Sequence, residues 1–205
     1  MSIMSGKKGL IMGVANERSI AWGIAKTLAE NGAELAFSYQ NESFKKRLIP
    51  LMSSLKSDKY FECDVSKVAS DSNSIENMFE KISKIWNEID FVVHALAYSD
   101  KDELKGKYVN CSRENFLNSL DISAFSFTRI AKSSFPLMSS KGGSLLTLSY
   151  LGAERTTPNY NVMGVAKSAL EASIKYLAMD LGKNNIRVNA LSAGPVKTLA
   201  GAAIS

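Results

Sequence analysis

A chain of 205 residues, 45% hydrophobic and 22% charged, has the balance of a globular domain with room for one continuous core. Its formal charge of +5 is spread over scattered lysines and arginines, with no basic stripe interleaved with aromatics, which argues against a nucleic-acid partner. Two cysteines, Cys63 and Cys111, form neither a disulfide framework nor a metal cluster, and no apolar run approaches the ~18 residues of a membrane span. The expectation is therefore a cytoplasmic protein without a metal, a membrane segment or a cleaved leader.

In chain order, Gly9 to Val14 reads as a buried strand, and Ser19 to Asn31 as a helix. Ile20, Ile24 and Leu28 recur on one face of that helix, with Ser19 as N-cap and Gly32 as the stop. Glu34 to Tyr39 is a second strand, Asn41 to Leu55 a polar helix, and Tyr60 to Cys63 a short third strand. Ile75, Met78, Phe79, Ile82, Ile85 and Trp86 make an amphipathic stripe, and Phe91 to Leu96 a fourth strand. One long helix is expected from Arg113 to Met138, a strand from Ser144 to Ser149, a second long helix from Tyr160 to Leu181, and a sixth strand from Ile186 to Leu191. Strand and helix in alternation predict a single α/β domain over residues 1–205. Its sheet should be parallel, doubly wound and Rossmann-like, with helices on both faces. Ligands of such sheets bind beyond the carboxyl ends of the strands, so function is sought there.

After the first strand comes Gly13-Val-Ala-Asn-Glu-Arg-Ser19-Ile20-Ala21-Trp22-Gly23. It departs from the dinucleotide pattern G-x-G-x-x-G, yet keeps a glycine in the turn before a helix N-terminus, where backbone amides can approach a pyrophosphate. The second strand ends in Gln40, with neither the acidic residue that accepts ribose hydroxyls nor an arginine suited to a 2′-phosphate. Gln40 can bond the hydroxyls and favours NADH, while Lys45, Lys46 and Arg47 read as coating a helix. Asp64 after the third strand is either a turn-initiating aspartate or a ligand. His94, the sole histidine, lies inside a strand and reads as a core residue. Tyr160 and Lys167 are separated by six residues, which on a helix returns them to one side about two turns apart. Spacing alone also allows a buried tyrosine and an unrelated lysine.

Taken together, the Gly13/Ser19-Ile20-Ala21/Gly23 loop, Tyr160-Asn-Val-Met-Gly-Val-Ala-Lys167, Tyr150 ten residues before Tyr160, and Arg187-Val-Asn-Ala-Leu-Ser192-Ala-Gly194-Pro195-Val196-Lys197-Thr198 resemble the enoyl-acyl-carrier-protein reductases. These form a branch of the short-chain dehydrogenase/reductase superfamily. The resemblance runs over nearly the whole chain. It implies that Gly13, Ser19 and Ile20 meet the pyrophosphate, with Gly23 serving close helix–sheet packing. Gln40 would meet the adenosine ribose, Asp64 and Val65 the adenine, Leu96 and Val196 the nicotinamide end, and Thr198 the pyrophosphate. Tyr98, Tyr150 and Tyr160 would line the substrate pocket, although the family commonly has Ala-Pro where this chain has Ser99-Asp100. Tyr160 would stabilise the enolate oxygen formed when hydride adds to a conjugated thioester, Lys167 would hold the cofactor ribose, and Tyr150 would position.

The implied reaction is NADH-dependent reduction of a trans-2-enoyl thioester on acyl carrier protein, in bacterial fatty-acid synthesis. Two rivals remain. A 3-oxoacyl-thioester or other carbonyl reductase of the same fold normally has Tyr-x-x-x-Lys with an upstream serine, and a non-catalytic NAD(H)-binding protein would not need Tyr160 and Lys167. A second apolar stripe on the last long helix, with Tyr176 and Met179, invites helix contact between subunits, and the family is commonly tetrameric. Family members also continue past the position of Ser205 with a lid, a helix and an edge strand, so the intact protein is expected to be longer and 205 residues alone inactive.

Overall fold

The computed structural model describes residues 2–66, 74–194, 196 and 198. Six strands, β1 (Lys8–Met12), β2 (Glu34–Tyr39), β3 (Lys59–Glu62), β4 (Phe91–His94), β5 (Gly143–Ser149) and β6 (Ile186–Ser192), form one sheet in the order β3-β2-β1-β4-β5-β6. Every pairing is parallel. Leu10, Ile11 and Met12 are all fully buried, because a parallel sheet is covered on both faces. Leu10 and Met12 point to one side with Val92 and Leu145, against Met78 and Phe79 of α3 (Ser74–Ser83), Phe127 and Ile130 of the helix ending at Met138, and Leu170 of the last long helix. Ile11, Phe37 and Val93 point to the other, against Trp22 and Ala25 of α1 (Ile20–Glu30) and Leu48 and Met52 of α2 (Glu42–Ser54). This is the period of two of a strand feeding two cores.

The expected strand–helix alternation holds, with informative departures. Gly13 at φ +97° ends β1 at Met12, so the strand stops short of Val14, and β4 likewise stops at His94. The helix expected over Arg113 to Met138 is two, α4 (Arg113–Leu120) and α5 (Ser126–Met138), joined by a π-helical turn at Asp121–Phe125. Apolar periodicity is blind to one extra residue in a turn, and such turns concentrate at functional sites. Ser19 precedes α1 but makes no side-chain cap. Gly23 does not pack on the sheet: it is exposed, and a Cβ there would meet nothing. Gly32, at φ +91°, does close α1, with its N–H donating to Ala29 O and that of Ala33 to Leu28 O. The last long helix, α6 (Asn161–Leu181), starts one residue after Tyr160. The expected lid, and Pro195 and Lys197 of the last motif, lie outside the described residues.

Candidate active site

All six strands run parallel, so every residue singled out at a strand end arrives at one edge of the sheet. The order of the sheet reverses between β1 and β4, and the crevice there is the switch point at which such sheets bind ligands. Gly13 lies against the turn after β4 so closely that a Cβ would sit 2.1 Å from Ala95 O. Only glycine combines that approach with its positive φ. Ser19 turns its hydroxyl back into the loop, accepting from the N–H groups of Ala15 and Asn16, both at 3.0 Å. It therefore shapes the turn that leads to the N-terminus of α1, where Ile20 and Ala21 stand at the first helical positions and amides favour an anion.

Gln40 and Asp64 meet across the ends of β2 and β3, with Gln40 Nε2 donating to Asp64 Oδ2 at 3.3 Å. Ser66 donates to the other carboxylate oxygen through N–H and hydroxyl. Val65 is buried within the core, so only its backbone can face a ligand. Lys45 is held by Glu42 at 3.3 Å and lies over the Tyr39 and Tyr60 rings at 5.9 and 6.0 Å, as a cation coating a helix and aromatic faces does. Leu96 is half-buried against the core, Val196 is exposed, and Thr198 N–H donates to Val196 O at 2.8 Å.

At the ends of β5 and α6 the tyrosines come together. The rings of Tyr150 and Tyr160 pack edge to face, 5.1 Å between centroids, and Tyr160 is buried with Leu104 and Met163. Gly152 lies beneath this ring: a Cβ there would be 2.3 Å from Tyr160 Cδ1, and one on Gly164 would be 2.8 Å from Gly152 O. Burial, reinforced by Tyr150, raises the Tyr160 pKa, so its hydroxyl stays protonated and can donate. Lys167 is also buried, its Nζ donating to Leu148 O at 2.8 Å, two residues before Tyr150. Desolvation lowers its pKa to about 8 against an opposing pull from Glu171. Ser149, by contrast, donates its hydroxyl to Glu171. Tyr98 has its backbone fastened at both N–H and O to the Ser123 hydroxyl, at 3.0 and 3.1 Å, and its ring is exposed.

His94 is wholly buried between Thr147 Oγ1 (3.0 Å) and Ser126 Oγ (2.8 Å). The Ser126 hydroxyl also donates to Ile122 O, and the Thr147 hydroxyl to His94 O. Desolvation first, and the Lys167 charge second, depress the His94 pKa to about 3. The imidazole is a neutral core residue, as its position in the strand predicted.

A family model described as "Enoyl-(Acyl carrier protein) reductase" matches residues 13–205. The enoyl-[acyl-carrier-protein] reductase [NADH] 2 of Rhizobium meliloti (strain 1021) is 57% identical over 203 residues, 99% of this chain and 74% of that protein. The chain belongs to the enoyl-acyl-carrier-protein reductase family. Among solved structures, the reductase of Anaplasma phagocytophilum in complex with NAD superposes with a TM-score of 0.91 at 59% identity, over 96% of this chain and 73% of that one. The Bacillus cereus reductase with NADP+ and indole naphthyridinone gives 0.95 at 45%, over 100% and 79%.

Sequence reasoning missed the residues that hold the loop between β4 and α4. Glu103 accepts from Ser112 N–H and hydroxyl and from Asn115 Nδ2. Asn115 Oδ1 accepts from the Ser99 hydroxyl and Asp100 N–H, and Asn161 Nδ2 reaches back to the same loop. Polar residues in a connecting loop look alike in sequence. The one readable signal was the Ser112-x-x-Asn115 spacing, in which Ser112 caps α4 through Asn115 N–H.

Proposed function

We propose that this chain reduces trans-2-enoyl thioesters carried on acyl carrier protein, using NADH, in the last step of the elongation cycle of bacterial fatty-acid synthesis. The observation that carries the reading is the buried, protonated Tyr160 packed on Tyr150 at the end of β5, with Lys167 anchored to the Leu148 carbonyl of the same strand.

The crevice fits a dinucleotide. The Gly13 turn and the start of α1 suit the pyrophosphate, and Gln40 and Asp64 suit the adenosine. Neither β2 nor β3 ends in an arginine for a 2′-phosphate, and Lys45 is engaged elsewhere, which favours NADH. NADH, when bound, supplies the hydride. Tyr160 donates its hydroxyl to the thioester carbonyl oxygen, where negative charge develops, and so stabilises the transition state. Lys167 turns its remaining N–H donors to the ribose hydroxyls and keeps the local potential positive. Tyr150 holds the Tyr160 ring, Leu96 and Val196 border the nicotinamide, Thr198 faces the pyrophosphate, and Tyr98 borders the acyl group. A carbonyl reductase is disfavoured because Ser149 is committed to Glu171 and a tyrosine ring occupies the strand end. The protein acts in the cytoplasm as a homotetramer, a state supported by Tyr176 and Met179 standing 70% and 66% exposed on α6.

The test is the loss of NADH absorbance with a trans-2-enoyl thioester compared with a 3-oxoacyl thioester, repeated with NADPH. Turnover of the enoyl substrate with NADH in clear preference is expected. Equal turnover of the 3-oxoacyl substrate, or equal efficiency with NADPH, overturns the corresponding part.

A further inference from the structure

Tyr160 sits between two asparagines in the left-handed region, Asn159 at φ +58° and Asn161 at φ +29°, while its own φ and ψ are −118° and −24°. Non-glycine residues occupy that region at a cost, asparagine least of all, and two flanking one residue imply that surrounding contacts hold the turn. For Asn161 those contacts are explicit. Its Nδ2 donates to Glu103 O at 3.1 Å and to Gly106 O at 3.4 Å, fifty-odd residues away in the β4–α4 loop. Between these two carbonyls lies Leu104, 5% exposed, which packs on Tyr160 and Met163. The far side of the loop is fastened to α4 by the Glu103 carboxylate on Ser112, at 2.8 and 2.7 Å.

We propose that Asn161 is a positioning residue: its amide clasps the Glu103–Gly106 stretch to the turn that presents Tyr160, so that Leu104 presses the tyrosine ring into place for the substrate carbonyl. The inference rests on the reading of Tyr160 as the donor. The Asn161 Nδ2 group is committed to two loop carbonyls. It acts by coupling the β4–α4 loop to the tyrosine.

The experiment compares Asn161→Gly, which keeps the left-handed backbone and loses the amide, with Asn161→Asp, which keeps size and sets a carboxylate against two carbonyls. Tyr160→Phe and Leu104→Ala are measured alongside. Both Asn161 variants should bind NADH within twofold of the wild type, while kcat/KM for an enoyl thioester falls on the order of 10–10²-fold, the scale of a misplaced reacting group, with kcat carrying most of the loss. Asn161→Gly combined with Leu104→Ala should lose no more than the worse single variant, because the two act as one unit. Wild-type kcat and KM in Asn161→Gly, additive losses in the double variant, or an equal fall in NADH affinity would overturn the proposal. If Tyr160→Phe itself keeps full turnover, the reading of Tyr160 fails first; if only Tyr160→Phe loses turnover, the positioning role alone fails.

Discussion

At the ends of β1, β2 and β3 the site is made by the chain within a few residues of each strand. Gly13 turns against Ala95, Ser19 bonds amides three and four residues back, and Gln40 meets Asp64 across neighbouring strands. At the ends of β4 and β5 it is made by segments far apart in sequence: Leu104, Tyr150, Tyr160 and Met163 form one small cluster, tied by bonds that span 58 and 55 residues. The proposed nucleotide half thus rests on backbone geometry at neighbouring strand ends, while the proposed reacting half rests on side-chain packing between loops. Substitutions should separate accordingly, the first kind acting on NADH binding and stability, the second on turnover.

The largest effect belongs to Tyr160→Phe. The ring and its packing survive, so NADH binding should be unchanged, while kcat falls roughly 10²–10³-fold, the cost of one oxyanion donor. Tyr150→Phe should do less, since its ring supports Tyr160 by packing. Steady-state kinetics with NADH binding measured separately decides; a Tyr160→Phe enzyme of near-normal turnover breaks the assignment.

Two glycines, one in each half, sharpen the contrast. Gly152→Ala would drive a methyl into the Tyr160 ring and should lower kcat by up to about 10²-fold with NADH affinity intact. Gly13→Ala combines a positive φ with a clash against the Ala95 carbonyl and should cost about 3 kcal/mol of folding stability together with NADH affinity. Denaturant unfolding beside kinetics checks this partition, and finding the opposite one would refute the comparison.

His94 lies close to both halves and should serve neither chemically. His94→Asn leaves Ser126 or Thr147 without its buried partner and should destabilise by about 1–3 kcal/mol. Because the imidazole is neutral down to about pH 3, the pH dependence of kcat/KM should not change. A lost ionisation between pH 5 and 8 in this variant would restore His94 as an acid–base group.

The smallest predicted effect concerns Lys167. Burial lowers its folded pKa to about 8 from an ordinary 10.5, so the unfolded chain holds this proton more tightly. The resulting penalty on stability is present below pH 8 and fades between about 8 and 10.5. NADH affinity, which in the proposed role of Lys167 uses the ammonium, should run the other way: level below pH 8, weaker by roughly tenfold at pH 9. Calorimetric titration across pH 7 to 9.5 should show this limb, and Lys167→Ala should bind NADH weakly and without it.

Legible in the sequence were the alternation of strands and helices and the parallel sheet, with β1 and β4 ending earlier than their apolar runs, because hydrophobic period and glycine or serine at an element boundary are local properties. It also carried the Tyr160–Lys167 pair and Tyr150, through spacing and resemblance. Only the tertiary structure decided that the helix before β5 breaks in a π turn, which sets Ser123 on the Tyr98 backbone and Ser126 on His94. The same holds for Gly23, which faces open space, for Val65, which turns into the core, and for Asn161, which reaches Glu103 and Gly106. An extra residue in a turn leaves apolar periodicity nearly unchanged, and a hydrogen bond between distant segments has no period at all. Such features arise only when the packed sheet brings separate loops to one edge.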